Sequence, residues 1–176
     1  VVIVLGVDPG AISAAWAAIP PEFDGGVRKA MADFAPVVNK MVDPGAFKSI
    51  IRHVRPTVAV VEKVNAMPKQ GVSSSFRFGM GYGMLLAVLA CEAIPVVDVA
   101  PGVWKKHFRL DADKEKARAL AIKRFPNADL KRKIDAGKAE ALLMALWWRE
   151  TSESYESYDN NRPNREHEPL ADKRPG

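Results

Sequence analysis

Two short aliphatic runs in this 176-residue chain each end on a carboxylate. Val1 to Gly10 reads VVIVLGVDPG and stops at Asp8, just before the turn-forming Pro9-Gly10 pair. Thr57 to Val61 is followed by Glu62. Val, Ile and Leu without alternation predict strands buried on both faces, so both acids fall at strand tips, where a sheet meets solvent. A third acidic locus, Asp135 with Glu140, opens the last helical segment. On a regular helix these two stand about 140° apart. They face one site only if Asp135 lies at or before the first turn, and Gly137 between them disfavours an earlier helix start. Carboxylates gathered from several segments are what hard divalent cations such as Mg²⁺ require, with water and substrate phosphate completing the shell. Two such ions about 4 Å apart activate a water and stabilise the leaving oxygen in phosphodiester cleavage. Each acid also has a plainer reading: turn cap, strand end, helix N-cap and solvated helix face.

The elements that must position these acids can be read in outline. Ser13 to Ile19 predicts a second strand, despite alanines that form strands poorly. Pro20-Pro21 ends it, and Gly25-Gly26 reads as a hairpin turn into a third strand around Val27 to Phe34, giving an antiparallel meander. Asp43-Pro44 reads as N-cap and first residue of a helix whose apolar side is Phe47, Ile50, Ile51 and Val54. That helix closes at Pro56 and returns to the strand ending at Glu62, which suggests a crossover to a parallel position. A helix from about Ser74 to Glu92 follows, capped by Ser73, Ser74 or Ser75, with Gly79, Gly81 and Gly83 giving it a small face. Ile94 to Val99 predicts a strand, and Pro101 opens a turn holding Trp104, Lys105 and Lys106. Asp113 caps a helix from Lys114 to Phe125, and Asp135 to Glu150 predicts the last helix.

The length suits one domain with a sizeable core. The longest apolar stretch, Met80 to Ala93, is too short to cross a bilayer, so no membrane association is expected. No secretory signal is evident. The single cysteine, Cys91, cannot form an internal disulfide and reads as a small core residue, which fits a cytoplasmic setting. Net charge is +5. Residues 151–176 hold six acids and four bases, a net of −2, so the first 150 residues carry +7. A basic body suggests a polyanionic partner. The expected division is a nuclease domain over 1–150 and a polar, flexible tail over 151–176.

Five blocks in order carry a resemblance: GVDPG, then VVEKVNAMPKQGVSSSFRFGMGYG, then VAPGVWKKHF, then the D-K-x-x-A-R segment from Asp113, then KIDAGKAEALLMA. Together, across about residues 1–148, they resemble the RuvC-type Holliday-junction resolvases, most closely the phage-like and plastid branches. The resemblance implies an RNase H-like α/β fold: a mixed sheet, three antiparallel strands and then parallel ones, flanked by helices. It implies a homodimer that cuts four-way DNA junctions by paired symmetric nicks, using Mg²⁺, two ions per site, with Mn²⁺ as a substitute. Asp8, Glu62, Asp135 and Glu140 match the metal ligands. Bacterial members usually place two aspartates three apart in the last helix; here Gly137 stands three before Glu140.

By the same resemblance Lys105, or alternatively Lys106, reaches the scissile phosphate, where a positioned cation stabilises developing charge. Lys69, Gln70, Phe76, Arg77 and Phe78 match the loop and helix start that enter the junction centre, where an aromatic stacks on an opened base. The plainer reading makes the phenylalanines core and the lysines solvated. The helix from about Ser74 to Glu92 matches the family's dimer contact. Arg118, Lys123, Arg124, Lys131, Arg132 and Lys133 form a further basic group. Competing functions are an RNase H-like nuclease acting on forks, flaps or hybrids, and a catalytically inactive junction-binding protein. A kinase-like ATPase also begins on a strand ending in Asp and Gly, but the further phosphate-binding glycine loops are absent from the sequence.

Overall fold

The structure, a computed structural model, describes residues 2–10, 14–20, 29–65 and 71–160. A five-stranded sheet has the order β3-β2-β1-β6-β7. Strands β1 (Val4–Asp8), β2 (Ala15–Ile19) and β3 (Met31–Phe34) form an antiparallel meander. Strands β6 (Val58–Glu62) and β7 (Val96–Val99) continue it in parallel with β1. This is the mixed α/β architecture expected. A two-stranded hairpin, β4 (Val37–Val38) with β5 (Met41–Val42), lies between β3 and α1 in the chain.

Helix α1 (Pro44–Val54) starts where the sequence placed it: the Asp43 carboxylate accepts from the amides of Gly45 and Ala46 at 2.9 and 3.1 Å. It shares one face of the sheet with α2 (Val72–Cys91). Phe47, Ile51, Leu85 and Leu89 pack there against Leu5, Val7, Ala59 and Val61. On the other face lie α3 (Pro101–His107), α4 (Lys114–Arg124) and α5 (Ala136–Asn160), with Trp104, Ala121, Leu142 and Met144 against Val4, Ala17 and Val60. Strand alternation therefore turns Val4 and Asp8 to the α5 side and Leu5 and Val7 to the other.

Gly6 decides how close α5 comes. A Cβ built there would lie 1.9 Å from the carbonyl oxygen of Ala141, so only glycine admits the helix backbone. Two residues on, at Asp8, the neighbour is Gly137, whose Cβ would lie 3.0 Å from Asp8 Oδ2 and 3.3 Å from Ala15 Cβ. The two contacts keep step, since two strand residues (about 6.6 Å) match four helix residues (about 6 Å). The same closeness explains the alanines of β2 on that face, which are poor strand formers but short: Ala15 and Ala17 are almost wholly buried.

Several expectations need correction. Residues 101–107 are a helix rather than a turn, with Pro101 in its first turn. Helix α2 begins at Val72 behind Gly71, and no serine side chain caps it. Cys91 is exposed. Helix α5 runs to Asn160 rather than ending at Glu150; residues 161–176 lie outside the described residues. Among the described residues one helix, Val72–Cys91, is long and apolar enough to cross a membrane by length and composition, with 17% of its most apolar window buried. The stretch Met80 to Ala93 was too narrow a measure of it.

Candidate active site

Asp8 and Glu62 end neighbouring parallel strands, one step beyond the pair Val7 and Val61. Both stand on the sheet face covered by α5. Glu140, one residue before the Ala141 that touches Gly6, comes to the same place from the helix. The electrostatics record the meeting. Burial, and then the Glu140 and Glu62 carboxylates, push Asp8 up from 3.8 to about 7, against the opposing pull of Lys114 and Lys105. Burial also raises Glu62; the Trp104 hydrogen bond works against that and Glu140 adds to it. The Trp104 indole is fully buried and its Nε1–H donates to Glu62 Oε1 at 3.0 Å.

Glu140 is buried between two lysines. Lys105 Nζ lies 3.0 Å from Oε1 and Lys114 Nζ 3.3 Å from Oε2. Even so, Oε1 accepts no hydrogen bond of proper geometry, which makes it an orphaned buried acceptor. Lys114 would lose proton affinity by burial, but the carboxylates of Glu140, Asp8 and Glu62 outweigh that and raise it. The sequence reading missed Lys114. Its one local signal was a cation at the first residue of a helix, where the helix dipole disfavours positive charge.

Asp135 stands apart from this group, with partners of its own. It closes a short 3₁₀ turn, Lys133–Asp135, ahead of α5. The Arg132 amide donates to its Oδ2 at 2.8 Å, and Arg132 and Lys138 lie 3.0 and 2.9 Å from Oδ1. Burial alone would raise this carboxyl; its Arg132 and Lys138 partners win and hold it well below the usual carboxylate range. Its oxygens are thus already engaged. Gly137 instead occupies the helix position facing Asp8.

The remaining expected residues spread more widely. Lys105 points to Glu140, whereas Lys106 is exposed on the next position of α3. Phe76 is 70% exposed and Arg77 is exposed, while Phe78 is half-buried, so none of the three is core. Lys69 and Gln70 lie outside the described residues. Within the further basic group, Arg118 is held by Glu115 and by the carbonyls of Leu130 and Lys131, Arg124 by Glu150, and Arg132 by Asp135.

A mixed sheet whose two central parallel strands each deliver a carboxylate toward a helix-borne third is an RNase H-like fold. No protein-family profile matches the sequence. The fold is shared with solved RuvC-type resolvases, and part of the sequence is similar to curated RuvC endonucleases. The chain is 30% identical over 112 residues to the crossover junction endodeoxyribonuclease RuvC of Nitratidesulfovibrio vulgaris, and 31% identical over 115 residues to that of Neorickettsia sennetsu. The matches take in 60% and 59% of this chain, and the chain covers 65% and 66% of the length of these relatives. Thermus thermophilus RuvC, solved in complex with a Holliday junction substrate, superposes with a TM-score of 0.66 at 18% identity, covering 88% of this chain and 97% of that one. The yeast mitochondrial Holliday junction resolvase superposes at 0.53 and 14% identity, covering 89% and 84%.

Proposed function

We propose that this protein is a metal-dependent endonuclease that resolves four-way DNA junctions, with residues 1–150 as the nuclease unit and 151–176 as an appended segment. The observation that carries the reading is the meeting of Asp8, Glu62 and Glu140 at the ends of β1 and β6 with two lysines aimed among them. Similarity to RuvC endonucleases, one of them solved on a junction, supports the substrate.

Among the described residues no three His, Cys, Asp or Glu side chains lie close enough to grip an ion as they stand. The donor set nonetheless suits a hard dication. Glu140 raises the proton affinity of Asp8 and Glu62, Glu62 adds to that of Asp8, and the orphaned Glu140 Oε1 lacks a proper donor. Asp8, Glu62 and Glu140 would hold the ion once Glu140 releases part of its lysine pairing. Mg²⁺, two ions per site with Mn²⁺ as a substitute, would supply Lewis acidity toward the phosphodiester and a lowered pKa for water. Asp135, with both oxygens engaged, is left out of the ligand set.

The chain's own groups do the rest. Lys105 and Lys114, freed from Glu140, present two ammonium groups to the phosphate as its charge grows in the transition state. Trp104 fixes Glu62 and excludes water behind it. Gly137 leaves open the space beside Asp8 that a side chain would fill. Phe76 and Arg77, exposed at the start of α2, suit stacking on an opened base and a phosphate contact.

The partner is a second copy. Exposed Val72 and Phe76, and glycines 79, 81 and 83 with open space beside them, leave an apolar face of α2 uncovered by the described residues. Purified protein should sediment as a dimer, and should nick a labelled four-way junction with Mg²⁺ and not with EDTA. Preference for a fork, flap or linear duplex would assign another branched substrate. Tight junction binding without nicking would mark an inactive binder.

A further inference from the structure

Beside the acidic centre lies a second concavity, a groove of about 630 Å³ between α3 and the segment leading to α4. Its size falls within the range of small-ligand clefts, about 300–1,000 Å³. Pro101, Leu110 and Ala112 give it apolar walls, and Lys105, Lys106 and Arg109 give it charge. Lys105 belongs to both places, since its Nζ reaches Glu140 at 3.0 Å. The groove thus shares Lys105 with the acidic centre.

The charge is available. Among the described residues, the side chains of Lys106 and Arg109 have no acidic partner. The acid lining the groove, Asp111, is already paired with Lys116 and accepts the Asp113 amide at 2.9 Å. The local field therefore favours an anion.

Arg109 adds an independent observation. Helix α3 ends in a Schellman motif: the Leu110 amide donates to Lys105 O at 2.8 Å and the Arg109 amide to Lys106 O at 3.1 Å. The residue between these bonds must take a left-handed conformation, and glycine does so most easily. Here it is Arg109, with φ 56°. Arg109 is exposed and lines the groove, so the turn that closes α3 sets a guanidinium on its rim.

We propose that this groove seats the nucleotide next to the scissile phosphate, its base against Pro101, Leu110 and Ala112 and its own phosphate between Lys106 and Arg109. The inference rests on the nuclease reading and deepens it. Apolar walls with a cationic rim match a nucleotide, which carries a flat apolar ring and an anion about one backbone step away.

The test uses the full chain, a fluorescent four-way junction in EDTA, and anisotropy titrations over a range of salt. R109G is the informative variant, because glycine fits the backbone and removes only the guanidinium. It should melt no lower than wild type, bind the junction several-fold more weakly, and flatten the log affinity against log salt slope by about 1. K106A should act in the same direction. A junction with an abasic nucleotide beside the nicked phosphate should bind wild type several-fold more weakly, and L110A should add no further loss on that junction. Normal affinity and salt slope for R109G, with wild type binding the junction, would overturn the groove and leave the nuclease reading standing. Wild-type protein that ignored the junction would overturn both.

Discussion

The Asp8 carboxylate should make the protein less stable as pH rises through neutrality. Burial and the Glu140 and Glu62 carboxylates raise it from 3.8 to about 7 in the folded chain. A group raised on folding favours the native state fully below its unfolded value, near pH 4, and loses that contribution as pH climbs through about 7. At about 1.36 kcal/mol for each tenfold change in proton affinity, the loss is on the order of 4 kcal/mol by pH 9. Asp8→Asn removes the charge and keeps the shape. In metal-free buffer it should melt higher than wild type at pH 8.5, by on the order of 10 °C at 2–4 °C per kcal/mol for a chain of this size. The gap should close toward pH 5. Added Mg²⁺ should raise the melting temperature of wild type and not of the variant, because an ion bound only by the native state stabilises it. Thermal scans monitored by circular dichroism from pH 5 to 9, with and without Mg²⁺, read all of this. An Asp8→Asn variant that melts at or below wild type at pH 8.5 would refute a buried, acid-crowded Asp8.

Other expectations follow from single contacts. Gly6→Ala would force a Cβ to 1.9 Å from Ala141 O, so urea unfolding should show a loss of about 3 kcal/mol or more, at the upper end for overpacking. Gly137→Ala gains about 1 kcal/mol of helix propensity but crowds Asp8 at 3.0 Å, so melting should hold while cleavage falls. Trp104→Phe removes the donor to Glu62; it should cost about 2 kcal/mol, the scale of a hydrogen bond to a charged group, and raise the Mg²⁺ concentration needed for half-maximal nicking.

What was legible in the sequence was what local chemistry decides. The aliphatic runs ending at Asp8 and Glu62, and the Asp43-Pro44 helix start, express themselves within a few residues. Helix α3 did not. It is seven residues long with Pro101 and Gly102 at its front, and what holds it is the burial of Trp104 and the bonds that close its end. Local propensity cannot report such tertiary support. Asp135 and Glu140 looked equivalent as acids near a helix start. Their difference lies in partners: Arg132 and Lys138, three residues to either side, claim Asp135, while the approach of α5 to Gly6 carries Glu140 to the strand ends. Lys114 reaches Glu140 across 26 residues of sequence, which no local pattern encodes.

The most direct test maps nicks on all four strands of a synthetic four-way junction, each strand labelled in turn, with wild type and Glu140→Gln in Mg²⁺. Wild type should leave symmetric nicks in two opposed strands, and Glu140→Gln should leave none while still binding the junction. Undiminished cleavage by Glu140→Gln, or nicks confined to one strand, would contradict the resolvase reading.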